Sequence, residues 1–150
     1  MMEYSLGSIE VTAKVQDSGN EISSFSDVKE RYSELDEKQK EHLYAVYLTN
    51  SNEEIGDKLI GLGNLDATPV DIQDIVRTAI LVKAGAVILV HNHPSSTGEP
   101  TEKDIEVTQE IHNTLERLGI DLLDHVIITQ ENSHSMRAAG QPPFNGGETP

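Results

Sequence analysis

Apolar and polar positions along the chain fall into segments of different period. From Val70 to Ala84 the apolar residues stand at 72, 75, 76, 79, 80 and 82. That spacing predicts a helix, because positions three and four apart share one face, and Gly85 is its expected C-terminal stop. Thr101 to Leu118 predicts a second long helix, stopped by Gly119. Between them "AVILVH", 86–91, is a continuous apolar run of the kind found in a strand covered on both faces. "HLYAVYLT", 42–49, is rich in aromatic and β-branched residues and predicts a strand; "NSNEE" is a turn, and "IGDKLIGLG", 55–63, the returning strand of a hairpin. "IDLLDHVIIT", 120–129, predicts a further strand. Nearer the N-terminus, Ser26 to Leu35 predicts a helix with Ser26 as its cap and Asp27 in the first turn, and Ser8–Lys14 a short lead-in strand. The order hairpin, helix, strand, helix, strand predicts an α/β class, a mixed sheet with helices packed on it.

Length agrees with one domain. A chain of 150 residues can bury roughly 70% of its unfolded surface. Residues 1–25 read as a lead-in and 26–137 as the domain. Residues 138–150, "AAGQPPFNGGETP", are short of core-forming side chains and read as a flexible tail. There is no cysteine, which excludes a disulfide scaffold, a cysteine-based zinc site and a thiol nucleophile. A net charge of −15 repels phosphate backbones, so no direct nucleic-acid binding is expected. The longest apolar stretch, Ala79 to Val90, is interrupted by Lys83 and falls short of the ~20 residues that span a bilayer. The N-terminus "MMEYSLGSIE" lacks the basic and apolar regions of a signal peptide. No membrane partner is expected, and the cytoplasm is the expected location.

The stretch "VILVHNHPSSTGEPTEKD", Val87 to Asp104, carries the candidate chemistry. Residues two apart on a strand face the same side, so His91 and His93 can aim at one point. Pro94 then takes the chain out of the sheet. A third ligand would complete a site with three protein ligands and one open position, and Asp104 is the candidate, returned by the intervening Pro/Ser/Thr/Gly loop. By themselves the two histidines could be polar residues at a sheet rim. Asp104, three after Thr101, could be no more than the acid of a helix capping box. Other His-x-His chemistries fit poorly. A metallo-β-lactamase-like His-x-His-x-Asp-His is broken by Pro94, Ser95 and Ser96. An amidohydrolase barrel needs about 250 residues, and the letters "HNH" do not spell the spread-out residues of an HNH nuclease.

The full spacing, His-x-His, seven residues, a hydroxyl residue, two residues, then Asp, resembles the JAMM motif of the MPN/JAB metalloprotease family. "VILVHNHPSSTGEPTEKDI" looks specifically like its RadC-like branch. "EHLYAVYL", "IGLGNLDAT", "AGAVILVHNHP" and "LGIDLLDHVIIT" are similar to RadC-like stretches in the same order. The resemblance covers roughly Ser26 to Met136. It implies a layered fold of the cytidine-deaminase-like kind, and zinc held by His91, His93 and Asp104. It also implies catalysis by Glu41 as proton acceptor and by Thr101, in the position usually held by Ser, as a hydrogen-bond donor to the oxyanion. The implied partner is a protein or peptide substrate, including a ubiquitin-like one. Glu41 is chosen by the resemblance alone, out of 26 acidic residues.

Three departures qualify the match. Thr101 keeps the hydroxyl but restricts χ1. "VDIQD", 70–74, lacks the Pro-Arg usual at that helix start. The helix-hairpin-helix region of long RadC-like proteins is not expected in this chain, which looks like a short stand-alone form. Two other readings stay open: a non-catalytic MPN interaction module, and an accessory role in DNA repair. His125 reads as a buried, hydrogen-bonded structural residue. His42, His112 and His134 read as surface residues. Ser135, in "SHSM", could approach the site.

Overall fold

Strand β3, Ala86–Asn92, is buried along its whole length, as its unbroken apolar run predicts. The computed structural model describes residues 24–34, 40–62, 69–93, 98–129 and 133–145. β3 is the middle strand of a five-stranded sheet. β1, His42–Leu48, runs antiparallel to both β2, Glu54–Leu62, and β3. β4, Asp121–Ile128, runs parallel to β3, and the two-residue β5, His134–Ser135, pairs antiparallel with β4. A parallel pair needs a crossover. Helix α3, Glu102–Arg117, supplies it. With α1, Phe25–Arg31, and α2, Ile72–Leu81, the described residues form an α+β fold of a mixed sheet and three helices, as expected. No helix among them is long and apolar enough to cross a membrane.

Each face of the sheet has its own core. Val87 and Leu89 join Leu43, Ala45 and Tyr47 of β1 beneath Ile75 and Ala79 of α2 and Ile111 and Leu115 of α3. Ala86, Ile88 and Val90 join Val46, Leu48, Val126 and Ile128 beneath Val28 and Tyr32 on the α1 side. Each large apolar side chain so buried contributes roughly 1.5–3 kcal/mol. The same alternation orients the end of the strand. Odd-numbered side chains of β3 face α2 and α3, so His91 and His93 extend that row.

Element ends differ from expectation where a better cap or turn competes. α1 is capped by Ser24, not Ser26. The Ser24 hydroxyl accepts from the Asp27 N–H at 3.4 Å, while Asp27 Oδ2 accepts from the Ser24 N–H at 3.1 Å. Ser26 stands one residue before Asp27 and cannot form this reciprocal pair. The helix ends at Arg31, short of Leu35. α2 is stopped by Lys83, which takes a φ of 57°. Gly85 has another use: a Cβ there would lie 1.9 Å from the Asn50 side-chain oxygen. Gly119, at φ 72°, ends α3 as expected. Residues 136–145 form successive turns, with the Gln141 N–H bonded to the Met136 carbonyl and Phe144 packed on the α2/α3 core. The expected tail is therefore held against the domain as far as residue 145. The expected strand at Ser8–Lys14 lies outside the described residues.

Candidate metal centre

The site forms where β3 leaves the sheet and α3 begins. The His93 N–H still donates to the Ile128 carbonyl at 3.1 Å, so the end of β3 is tied to β4. Pro94 and residues 95–97, the expected exit and first part of the loop, lie outside the described residues. His91, His93 and Asp104 are 0%, 7% and 5% exposed. The two histidine Nε2 atoms are 2.6 Å apart. Asp104 Oδ2 is 3.3 Å from His93 Nε2, and Oδ1 is 3.7 Å from His91 Nε2. One ligand atom from each residue lies within 4.8 Å of the others, so the three could hold a metal ion. Tetrahedral zinc with bonds of 2.0–2.1 Å separates its ligands by about 3.3 Å. The Asp104–His93 distance matches that spacing and the Asp104–His91 distance exceeds it by about 0.4 Å, while the imidazole pair has to part by roughly 0.7 Å to admit zinc. Two imidazoles and a carboxylate, without sulfur, suit a divalent transition metal, zinc and iron among them.

Asp104 serves as a capping-box acid and as a member of the cluster at once. Its Oδ2 accepts from the Thr101 N–H at 2.8 Å, and the Thr101 hydroxyl accepts from the Asp104 N–H at 3.1 Å. Burial pushes the Asp104 carboxyl up. Its hydrogen bonds to His93 and to the Thr101 N–H, with the charges of His93 and His125, outweigh that and hold it below the ordinary range. Thr101 is the N-cap of α3. Its hydroxyl oxygen accepts from the first turn of the helix.

Glu41 lies one residue before β1, with Oε1 3.7 Å from His93 Nε2 and its side chain 19% exposed. Asn92, fully buried between the two histidines, brackets it. The Asn92 Oδ1 accepts from the His42 N–H at 2.6 Å and its amide donates to the Lys40 carbonyl at 3.0 Å. Leu43 and His91 form the last backbone pair between β1 and β3. Beyond that pair the Asn92 side chain continues the connection and fixes the backbone on both sides of Glu41.

Behind the cluster lies a second layer of polar groups. His91 Nδ1 is 2.5 Å from His125 Nε2. His125 Nδ1 is 2.6 Å from the Thr108 hydroxyl, which donates to the Asp104 carbonyl at 2.5 Å. Burial pushes the pKa of His91 and His125 well below the ordinary imidazole value; the charge of His93 adds to this at His91 and that of His91 at His125. His125 is thus buried and hydrogen-bonded, and its partners connect it to the site. Ser135 does not reach the cluster. Its hydroxyl donates to Asp124 Oδ2 at 2.5 Å, and Asp124 Oδ1 accepts from the Arg137 N–H, tying β5 to β4. His42, His112 and His134 are partly exposed.

Sequence reasoning assigns no role to Asn92 or Thr108. Thr108 carries a usable signal, since it stands one helical turn after Asp104 on the same face. Asn92 carries none, because its side chain meets residues far away in sequence.

Comparison with known proteins bears on the same residues. Residues 22–141 match the family described as the RadC-like JAB domain. The chain is 35% identical to a UPF0758 protein of Streptococcus uberis over 116 residues, 77% of this chain and 51% of that protein. It is 38% identical to one from Bacillus licheniformis over 101 residues, 67% of this chain and 45% of the relative. A UPF0758 protein of Methanosarcina mazei is 33% identical over 127 residues, 84% and 56% of the two chains. The chain thus spans about half the length of the curated relatives it matches.

Proposed function

The chain belongs to the RadC-like JAB domain family, and from that premise and the buried cluster we propose that it is a zinc-dependent hydrolase of peptide or isopeptide bonds. The observation that carries the reading is the convergence of His91, His93 and Asp104, with Glu41 held 3.7 Å from His93. Zinc held there would supply a Lewis acid that brings the pKa of water to about 7 and polarises a carbonyl. Glu41 takes a proton from the attacking water and delivers it to the leaving amine. Its partial exposure leaves it open to solvent, while Asn92 keeps its backbone in register with β3. The Thr101 hydroxyl, fixed at the N-cap of α3, donates to the developing oxyanion, a contribution of roughly 3 kcal/mol where such donors have been removed. Asp104 brings the negative charge that holds a dication beside two neutral rings. The substrate class proposed is a protein or peptide, ubiquitin-like tails included.

Metal analysis and two substitutions test the reading. The purified protein should retain zinc, and His91→Ala should lose it. Glu41→Gln should keep the zinc and lower hydrolysis of peptide and ubiquitin-like fusion substrates about 10²–10⁴-fold. Zinc-free wild-type protein, with His91→Ala indistinguishable from it, would end the metallohydrolase reading. Zinc binding with equal turnover, or equally none, in wild type and Glu41→Gln would favour a non-catalytic module.

A further inference from the structure

The layer behind the cluster has a direction. Thr108 is fully buried. Its hydroxyl has one proton, and the Asp104 carbonyl, 2.5 Å away, takes it. The Met136 sulfur, 4.0 Å from the same oxygen, is a weaker and more distant acceptor. Toward His125 the Thr108 oxygen can therefore only accept, and His125 Nδ1, 2.6 Å away, must carry a hydrogen. A neutral imidazole has one N–H, so His125 Nε2 is bare. Its partner at 2.5 Å, His91 Nδ1, then has to be the donor. One N–H is again the limit, and His91 is left with its lone pair on Nε2. That is the atom facing His93 and Asp104.

We propose that Thr108 and His125 are positioning residues that lock His91 into the Nδ1–H tautomer and so keep its Nε2 open as a metal ligand. The reverse direction would have Thr108 donate to His125, withdrawing the hydroxyl from the Asp104 carbonyl and putting the His91 hydrogen on Nε2, where it blocks ligation. The direction is thus set by one helical turn of α3. The same turn that begins with Asp104, itself in the cluster, ends with the hydroxyl that dictates the tautomer of His91. Metal-binding histidines are commonly oriented in this way through their second nitrogen, and loss of such a partner typically weakens metal affinity about 10–100-fold.

The proposal rests on the zinc reading for its purpose, but the tautomer can be read without zinc. Long-range ¹H–¹⁵N spectra of histidine-labelled, chelator-treated wild-type protein should show His91 and His125 both protonated at Nδ1. His91 protonated at Nε2 overturns the lock, whatever the metal does. Zinc competition with a chromophoric chelator supplies the second readout. Thr108→Val removes both hydrogen bonds at nearly constant shape. It should mix the two tautomers and weaken zinc about 10–100-fold, and Thr108→Ser should restore both. Undiminished zinc affinity in a folded Thr108→Val protein also overturns the lock. A wild-type protein with the expected tautomers but no zinc affinity would instead overturn the functional reading.

Discussion

Replacing Asp104 by Asn and by Ala should separate two tasks that one carboxylate performs. Its Oδ2 accepts from the Thr101 N–H at 2.8 Å at the start of α3. Alanine removes that acceptor, together with the favourable negative charge at a helix N-terminus. The cap is worth about 1 kcal/mol and the charge about 0.5 kcal/mol. For a domain near this size each kcal/mol moves Tm by roughly 2–4 °C, so Asp104→Ala should melt about 3–6 °C lower. Asparagine can turn its carbonyl oxygen to the same N–H and loses only the charge, for a fall of about 1–2 °C. Added zinc should reorder the series. At a free concentration about 100 times Kd, zinc stabilises the wild type by about 2.7 kcal/mol, roughly 5–11 °C. If losing the anionic ligand weakens zinc about 100-fold, the same concentration stabilises either variant by only about 0.4 kcal/mol. Differential scanning calorimetry in chelator and in buffered zinc reads both tasks. A full zinc shift in Asp104→Asn would remove Asp104 from the ligand set. A chelator melt of Asp104→Ala equal to wild type would show that the capping contact contributes nothing.

Thr101→Ala should slow turnover about 10²–10³-fold by removing the oxyanion donor and lower stability by about 1 kcal/mol through the lost cap; Thr101→Ser should retain both, and retained turnover in Thr101→Ala would exclude the donor role. Asn92→Ala should cost about 1–3 kcal/mol in denaturant titrations, since two backbone groups lose a buried partner. It should also reduce kcat while zinc affinity stays within a few-fold, and an unchanged kcat would detach Asn92 from Glu41. Burial lowers the folded-state pKa of His91 and His125. Below about pH 6.5 the unfolded chain therefore binds more protons than the folded one, and stability should fall as pH drops from 6.5 toward the folded values and level off above 6.5. The slope should not exceed about 1.4 kcal/mol per pH unit for each histidine, and a flat profile from pH 7.5 to 5.5 in chelator would contradict neutral, buried rings.

The features legible in the sequence are local or periodic. The unbroken run 86–91 announces a two-sided strand because both faces of β3 are covered. The period of α3 and its Gly119 stop follow from side-chain spacing and one positive φ. His91 and His93 are legible as a pair, because alternation along a strand needs no knowledge of the rest of the fold. The departures are also local, and each comes from competition. Ser24 displaces Ser26 as the cap of α1 because only Ser24 stands three residues before Asp27. Lys83 takes the left-handed position after α2, while Gly85 is pressed against Asn50.

The remaining parts of the site are hidden for a different reason. Asn92 acts on Lys40 and His42, fifty-two and fifty residues away, and His125 acts on His91 across thirty-four. No period or spacing encodes such contacts; they exist only once β1, β3 and β4 lie side by side. The parallel pairing of β3 with β4 sets Leu89 opposite His125, which puts His125 behind His91 on the face already turned toward α3. From there Thr108 is within reach because α3 is the crossover that makes the pairing parallel. The topology that buries the two cores therefore also brings His125 and Thr108 to the back of the cluster.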